Sequence, residues 1–262
     1  IGTCLVGSEM CIRDRSFDKS NTAAAMIRDD GKFVAETAGN YLITATAGQR
    51  STSIPVVIYD RGIQREVINV GTGLVQERHT SDFWVFEGVD KRDYAVSGTW
   101  GADGTTYFWD VTDPAQIRKI DSIQVDARTV NDVKVSEDGR ISVISREGAS
   151  SRRNGIVIID TTNPYDVNII SEYTTNLTGG VHNVFIYQDH VFALSNGERF
   201  YVINIEDPKN PYEVGMFEIG EKGQAIHDVW IEDGIAYSSN WKHGVYIIAV
   251  SYTHLRAHET GS

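Results

Sequence analysis

The feature that most constrains the fold is a strand pattern that occurs four times along the chain. Each copy begins with polar residues and continues with alternating apolar ones: SDFWV at 81–85, NDVKV at 131–135, VHNVFI at 181–186 and HDVWI at 227–231. Alternation with a period of two is typical of a β-strand that buries one face. Its recurrence indicates a chain built from a series of similar units.

Each copy carries the same further signals after this inner strand. A short turn rich in acidic residues or glycine leads to a second strand, and a loop then leads to a third. The third strand ends in an Asp-Pro or Asn-Pro corner, a combination that favours a turn. These corners lie at 113–114, 163–164 and 207–208, and the fourth strands that follow them are expected at 117–120, 167–173 and 212–217.

Four short strands in a repeat of roughly 45 to 50 residues match the blade of a β-propeller better than any helical repeat. No part of this region has a sustained apolar period of 3.6 residues. We therefore predict an all-β chain in which residues 77–249 form about four four-stranded blades of a partial β-propeller. Four copies are fewer than most propeller rings contain, so we expect an open arc whose end blades expose apolar surface.

Two short motifs within the repeats carry a family resemblance. They are GIVIID at 155–160 and DPKNP at 207–211, and their counterparts recur in register in the other copies. Over about residues 79–249 the chain resembles the LVIVD-repeat family of bacterial propellers. This resemblance implies an exported or cell-surface propeller, and it does not imply any particular biochemical activity.

Residues 16–60 have a different pattern and are expected to belong to another domain. Strands are predicted at 31–35, 39–47 and 54–58, and a helix could form at 20–26. The Gly-x-Tyr sequence that enters a strand rich in Thr and Ala resembles the end of a bacterial Ig-like β-sandwich, in which a tyrosine packs at the sheet corner. Residues 61–76 contain three glycines and are predicted to be the linker.

The two ends of the chain lie outside the repeats, and their sequences are related to each other. The peptides at 4–14 (CLVGSEMCIRD) and 250–260 (VSYTHLRAHET) can be encoded by one DNA segment read on opposite strands, and they resemble translated sequencing-adapter sequence. We treat residues 1–15 and 250–262 as adapter-like flanks and expect them to pack on nothing. Both cysteines, Cys4 and Cys11, lie in the first flank, which leaves no disulfide framework or Cys-ligated zinc site in the rest.

The charge of the chain excludes some partners. Its 262 residues carry a formal net charge of −12, whereas nucleic acids and anionic membranes select proteins with clustered Lys and Arg. We therefore expect no nucleic-acid partner. No apolar run is long enough to span a bilayer, and the nucleophile elbow, P-loop and dinucleotide-binding motifs are absent from the sequence.

Polar residues at the start of the inner strands form the first candidate site, because all inner strands of a propeller begin on the same face. Three histidines from three blades could hold a Zn or Cu ion with one open position. Alternatively, each histidine caps its own loop, which we favour because His79 is two places out of register. The candidate metal ligands are His79, His182 and His227, and the candidate ligand-binding residues are Asn131, Asp132, Asn183 and Asp228, with Asp82 beside them.

Two long loops are expected on that same face. The first, within residues 146–155, contains Glu147 together with Arg146, Arg152 and Arg153. These arginines could hold a carboxylate, sulfate or phosphate group. The second, at 98–106, contains Trp100, which could be a platform for a sugar. The alternatives are a solvated charged loop and a tryptophan packed on the blade edge.

From these patterns we predict an exported bacterial propeller that binds a protein or carbohydrate ligand on the face where the inner strands begin. This binding function requires no cofactor. The alternative is a hydrolase or oxidase that uses His182 and His227 with a divalent metal. The expected location, which is extracellular, cell-surface or periplasmic, follows from the family resemblance alone.

Overall fold

The chain divides into two compact units, Ile1–Ile68 and Asn69–Ser262. The computed structural model describes residues 10–15, 25–27, 31–60, 62, 66–76, 78–218 and 225–250. The boundary between the units falls inside the segment where a linker is expected, at 61–76. All the repeats therefore belong to the second unit.

Within its described residues, the first unit contains five strands in two antiparallel groups, ordered β1-β4-β5 and β2-β3. Tyr41 is buried at the start of β4, where its hydroxyl donates a hydrogen bond to the Thr37 carbonyl at 2.8 Å. Its ring packs edge-on against Phe33 at 5.5 Å. The strands are β1 (Met10–Arg15), β2 (Ala25–Ile27), β3 (Phe33–Ala35), β4 (Gly39–Ala47) and β5 (Arg50–Ile58).

Two expectations for the first unit are corrected by the structure. Ala25–Ile27 is a strand, so the helix expected at 20–26 does not include its last residues, and residues 20–24 lie outside the described part. The backbone of Met10–Arg15 pairs antiparallel with β4, although this flank was expected to pack on nothing. An exposed strand edge offers unpaired N–H and C=O groups to any extended segment, which explains the pairing.

The second unit contains four consecutive antiparallel sheets, and in each sheet every strand pairs with the next strand along the chain. These sheets are the blades of a β-propeller, and the described part of the last blade has three strands. The first blade is β6 (His79–Glu87), β7 (Asp93–Trp100), β8 (Thr105–Asp110) and β9 (Arg118–Gln124); the second is β10 (Val133–Val135), β11 (Ile141–Arg146), β12 (Gly155–Asp160) and β13 (Asn168–Tyr173); the third is β14 (Val181–Tyr187), β15 (His190–Ser195), β16 (Arg199–Asn204) and β17 (Tyr212–Glu218); the fourth is β18 (Asp228–Glu232), β19 (Ile235–Ser239) and β20 (Val245–Ala249).

Strand alternation gives each blade a forward face toward the next blade and a backward face toward the preceding one. Phe86 and Val96 on the forward face of the first blade pack with Val133 on the backward face of the second. The second and third blades meet through a similar apolar core, as do the third and fourth. The apolar residues that recur periodically in the sequence are therefore buried at these three interfaces between blades.

The two rims of the propeller differ in their connections. The loop face carries the segments that enter each inner strand and those that join the second and third strands of a blade. The turn face carries the short turns after each inner strand and the Asp-Pro or Asn-Pro corners. Toward the axis, the Trp84 ring lies 6.5 Å from the rings of both Phe185 and Trp230, so inner strands from three blades come together there.

Val250 departs from the expectation for the C-terminal flank. It is buried in the core between the third and fourth blades, and its backbone N–H donates to the Gly234 carbonyl at 2.9 Å. An apolar residue directly after a paired strand continues that strand's burial whatever its origin. Residues 251–262 lie outside the described part.

Candidate functional site

The loop face holds a pocket of about 440 Å³ among the second, third and fourth blades. This volume lies in the range of small-molecule sites, roughly 300 to 1,000 Å³. The pocket is built from six connections, each of which either enters an inner strand or joins a second strand to a third. The side chains that give it chemical character are Arg128, Glu147, His182, His227 and Trp241, and its walls include the backbone of Gly179 and Gly180.

His182 is fixed in this pocket by a carboxylate from the neighbouring blade. Its Nδ1 lies 3.1 Å from Oε1 of Glu147. The hydrogen bond that the imidazole makes to the Glu147 carboxylate raises the pKa of His182 above its ordinary value, and partial burial opposes that shift. A ring nitrogen held by a carboxylate sets the orientation of the imidazole. His182 can therefore present its other nitrogen to a ligand in a defined direction.

His227 brings the fourth blade into the same pocket. The centres of the His182 and His227 rings are 5.4 Å apart, and the Trp241 ring packs edge-on against His227 at 4.8 Å. Trp241 has a positive φ of 39°, which is rare for a bulky residue and costs energy that the surrounding structure must offset. This backbone places a largely exposed indole at the rim of the pocket.

Arg128 supplies a permanent positive charge to the pocket. Its backbone N–H donates to the Glu147 carbonyl at 2.9 Å, which ties the segment entering the second blade to the loop after β11. Gly148 lies under the arginine side chain: a Cβ on Gly148 would stand 2.9 Å from the Cβ of Arg128. The absence of a side chain at Gly148 therefore lets the arginine lie flat along the pocket wall.

Asn131 and Asp132 connect blades to one another. Asn131 donates a hydrogen bond from Nδ2 to the His182 carbonyl at 2.8 Å. Asp132 is buried, and its carboxylate accepts the backbone N–H of Val133 at 2.9 Å and that of Val184, in the third blade, at 2.7 Å. The hydrogen-bonding capacity of both side chains is thus directed at the protein.

A lysine joins Asp132 to the first blade. Lys134 ion-pairs with Asp132 and, at 2.8 Å, with Asp82, and its ammonium lies 4.9 Å from the centre of the Trp84 ring. Burial, together with the neighbouring Asp82 carboxylate, raises the pKa of Asp132 to about 8. The Lys134 ammonium contacts both carboxylates and offsets their negative charge, as a buried position requires.

Asn183 and Asp228 form a similar link between the third and fourth blades. Nδ2 of Asn183 donates to Oδ1 of Asp228 at 3.3 Å, and the same oxygen accepts the backbone N–H of Val229 at 2.8 Å. Oδ1 of Asn183 is buried and has no hydrogen-bond partner within the described part of the chain.

The arginines of the long loop do not form one cluster. Arg146 ends β11 instead of lying in the loop; it is buried and ion-pairs with Glu172 at 2.8 Å. Arg152 and Arg153 are exposed in the loop itself. That loop is held by Asp126, which accepts the backbone N–H groups of Ser150 and Ser151, and these hydrogen bonds lower the pKa of Asp126.

His79 and Trp100 form a separate pair on the first blade. They lie opposite each other in the β6–β7 register, with ring centres 6.3 Å apart, and Trp100 is half-exposed. His79 is not among the residues that line the pocket with His182 and His227. Over the residues that the structure describes, no three His, Cys, Asp or Glu side chains are grouped so that they could hold a metal ion.

Sequence reasoning missed Arg128 and Trp241, and it placed Glu147 in the arginine loop without its histidine partner. A signal for Trp241 was present: the loop between the second and third strands of the fourth blade begins NWKHG, and the corresponding segment of the first blade reads TWGAD. A tryptophan recurs at the same connection in two blades. Arg128 had no such signal, because it becomes a pocket residue only when the second and third blades pack together.

A larger pocket of about 570 Å³ lies on the turn face between the second and third blades. Two of its acidic side chains accept hydrogen bonds from backbone N–H groups in the turns. Asp138 accepts the N–H of Arg140 at 3.1 Å, and Asp160 accepts the N–H of Thr162 at 2.9 Å. Such hydrogen bonds to the backbone two residues on are the reason Asp is favoured in turns.

Among the described residues, no helix has the length and apolar character that a membrane crossing requires. Neither a protein-family profile nor a curated protein sequence matches the chain. The similarity of this chain to known proteins therefore comes from comparison of its fold with solved structures.

Three solved structures share that fold. A hypothetical selenium-binding protein from Sulfolobus tokodaii aligns with a TM-score of 0.51 at 13% identity, over 77% of this chain and 55% of its own. A periplasmic gluconolactonase from Pseudomonas aeruginosa aligns at 0.52 and 11%, over 78% and 58%. Sqt1 from Chaetomium thermophilum aligns at 0.52 and 10%, over 83% and 52%. The chain spans little more than half the length of these proteins, and at such identities the similarity establishes a β-propeller fold.

Proposed function

We propose that this propeller is a binding module whose loop-face pocket takes a small hydroxylated ligand with a carboxylate group, such as a sugar acid. The observation that carries the proposal is the meeting of His182 and His227 from adjacent blades, 5.4 Å apart, beside Arg128 and Trp241. A pocket with cationic groups on one wall and an aromatic ring at the rim suits a ligand that is both charged and ring-shaped.

The charges of the pocket favour an anion over a neutral sugar. Arg128 is always protonated, and Glu147 favours the protonated form of His182. Glu147 offsets one of these charges, so the pocket as a whole has a small positive excess within an acidic protein.

Calorimetric titration with D-galacturonate, and with D-galactose as the neutral control, tests this function. We expect galacturonate to bind more tightly than galactose, and Arg128→Gln to weaken galacturonate binding roughly tenfold, because a hydrogen bond to a charged group contributes about 1.5 to 3 kcal/mol. The matched controls are Arg153→Gln on the long loop and Arg140→Gln on the turn face. Equal affinity for the two sugars would contradict the proposal, as would a larger loss in either control.

The loop arginines give the sequence-based site a test in the same experiment. If Arg152→Ala with Arg153→Ala weakens binding more than Arg128→Gln, the ligand lies on the long loop and the pocket is not its site. Asn183 and Asp228 belong to the proposal as neighbours of the pocket. For Asn131, Asp132 and Arg146 we propose a structural role, supported by their hydrogen bonds and ion pairs to other parts of the blades.

A second candidate function, hydrolysis or oxidation, is favoured by one separate observation. A histidine oriented by a carboxylate is the arrangement used both for general-base catalysis and for metal ligation. Assays of small lactones and esters, with and without added Zn²⁺ and with a chelator, would detect such an activity. If His182→Asn abolishes this catalytic activity while galacturonate binding is retained, the enzyme function would be favoured over the binding module.

We also propose that the protein is an exported bacterial protein of the LVIVD-repeat type, preceded by the end of an Ig-like domain. The repeated GIVIID and DPKNP motifs support the first assignment. The hydrogen bond from Tyr41 to the Thr37 carbonyl supports the second, because tyrosine corners of Ig-like sandwiches bond to upstream backbone in this way. The complete gene sequence, with or without a secretion signal and an Ig-like domain, tests both.

A further inference from the structure

The two histidines of the loop-face pocket occupy corresponding positions of adjacent blades. His182 lies at the start of β14 and His227 directly before β18, and their ring centres are 5.4 Å apart. The backbone N–H of His227 donates to the Ser239 carbonyl at 2.7 Å, which fixes the entry to β18. At this separation two positive charges oppose each other. The protonation states of the two rings are therefore linked.

The two histidines differ in their counter-charges. Nδ1 of His182 lies 3.1 Å from Oε1 of Glu147, and this contact raises the pKa of His182. The His227 ring instead packs against the Trp241 ring at 4.8 Å. Among the described residues that line the pocket, Glu147 is the only carboxylate, and it is bound to His182. A positive charge on His227 therefore has no carboxylate of its own in the pocket.

The other charged groups around the histidines do not supply that counter-charge. Arg128 adds a permanent positive charge to the pocket. Asp132 and Asp228 also attract a proton on His182, but both are engaged by protein groups. Asp132 ion-pairs with Lys134, and Asp228 accepts a hydrogen bond from Asn183. Three exposed ionisable residues adjoin the pocket without lining it: Glu198, Lys242 and His243.

We propose that the pocket takes up a proton from solvent when it binds its carboxylate ligand, and that His227 holds this proton. The inference rests on the proposed function, because the carboxylate of the ligand is the anion that neutralises the charge on His227. The ligand stays ionised, and the proton is added to a ring nitrogen of the imidazole. By linkage, the affinity for an acidic sugar falls as pH rises, whereas the affinity for a neutral sugar does not.

Calorimetry on the full 262-residue chain with D-galacturonate measures this uptake directly. Titrations in HEPES and in Tris at about pH 7.5, where an ordinary imidazole is mostly neutral, differ in enthalpy in proportion to the protons that the buffer releases. We expect an uptake of up to about one proton per ligand, and an affinity that falls roughly tenfold between about pH 6.5 and pH 8. D-galactose, the neutral control, should show no uptake.

Two variants should change the uptake in opposite directions. His227→Gln removes the proton site and should reduce the uptake by about half or more. Glu147→Gln removes the counter-charge of His182, so that His182 must also gain its proton on binding, and the uptake should rise. Glu198→Gln, at an exposed glutamate beside the pocket, is the matched control and should behave as the wild type does. Thermal unfolding checks that each variant is folded.

The outcomes separate this inference from the function on which it rests. Galacturonate binding with one enthalpy in both buffers, and with an affinity that does not change with pH, would overturn the inference and leave the binding function standing. An uptake that His182→Gln abolishes and His227→Gln leaves intact would place the proton on His182 and contradict the assignment to His227. Absence of galacturonate binding at every pH would overturn the proposed function and the inference with it.

Discussion

The two faces of the propeller use polar residues for different purposes. On the turn face, Asp138, Asp160 and Asp207 each accept a backbone N–H two residues further on, at 2.9 to 3.1 Å. Their chemistry is explained by the turns that they form. On the loop face, His182 and Trp241 project into a pocket, and no turn or cap requires an imidazole or an indole at those positions.

This difference separates signals for the fold from signals for function. The turn-face residues recur in blade after blade, as expected where each blade must reverse its chain in the same way. The pocket residues occur in one or two blades only, and they come from connections of unequal length. Long connections on a rigid scaffold are where binding residues are commonly found.

The largest expected effect belongs to the turn face. Gly139 has a φ of 71°, and a Cβ there would stand 2.3 Å from the Glu87 carbonyl oxygen of the first blade. We expect Gly139→Ala to lower the free energy of unfolding by about 3 kcal/mol, from the strained φ and the displaced blade contact together. Urea denaturation measures this loss, and galacturonate binding to the folded fraction should not change.

Gly234 provides the matched control for that variant. It occupies the equivalent turn of the fourth blade with a φ of 74°, and nothing lies within 4 Å of the position that a Cβ would occupy there. Gly234→Ala should therefore lose only the conformational part, about 1 kcal/mol. Equal losses in the two variants would show that the contact between the first and second blades contributes nothing at Gly139.

A pair of substitutions of intermediate effect compares the faces directly. Asp160→Ala removes a turn hydrogen bond and should lower the free energy of unfolding by about 1 kcal/mol while binding is unchanged. His227→Ala should weaken galacturonate binding by about tenfold or more and alter stability by less than about 0.5 kcal/mol. Denaturation and calorimetry on both variants give the four values. If Asp160→Ala weakens binding and His227→Ala lowers stability instead, the roles assigned to the two faces are wrong.

The smallest predicted effect is a dependence on pH at His182. Its folded-state pKa is raised by Glu147, so the stabilisation from this pair is complete below the unfolded pKa of about 6.5 and is lost as pH rises through the folded value. Glu147→Gln should bring the His182 pKa down toward its ordinary value, as NMR titration of the imidazole measures. Glu198→Gln, at an exposed glutamate outside the pair, should leave that pKa unchanged.

The fold could be predicted from the sequence because its signals are local. Period-two strands such as Gly155–Asp160 and corners such as Asp207-Pro208 specify a blade without reference to distant residues, and the repetition specifies the arrangement. For this reason the fourth strands expected at 167–173 and 212–217 agree closely with Asn168–Tyr173 and Tyr212–Glu218. In the first blade, His79 pairs with Trp100 ahead of the register shift in β6, whereas His182 lies within the equivalent shift of β14.

The candidate site could be predicted only in part, because it depends on packing between blades. The choice of His182 and His227 followed from their shared position in the repeat. The partnership of His182 with Glu147 joins residues 35 positions apart in sequence, and it arises only when the loop of one blade reaches the next. Asp132 and Asp228 occupy equivalent positions, but Lys134 draws Asp132 into a buried network that the sequence repeat does not indicate.

The most direct test of the central claim is an NMR titration of the histidine imidazoles with D-galacturonate. The account predicts that the His182 and His227 resonances shift together along one binding curve. His190, at the turn-face end of β15, should remain unchanged and serves as the internal control. A shift of His190 without His182 and His227, or no shift of these two at concentrations that saturate binding in calorimetry, would contradict the assignment of ligand binding to the loop face.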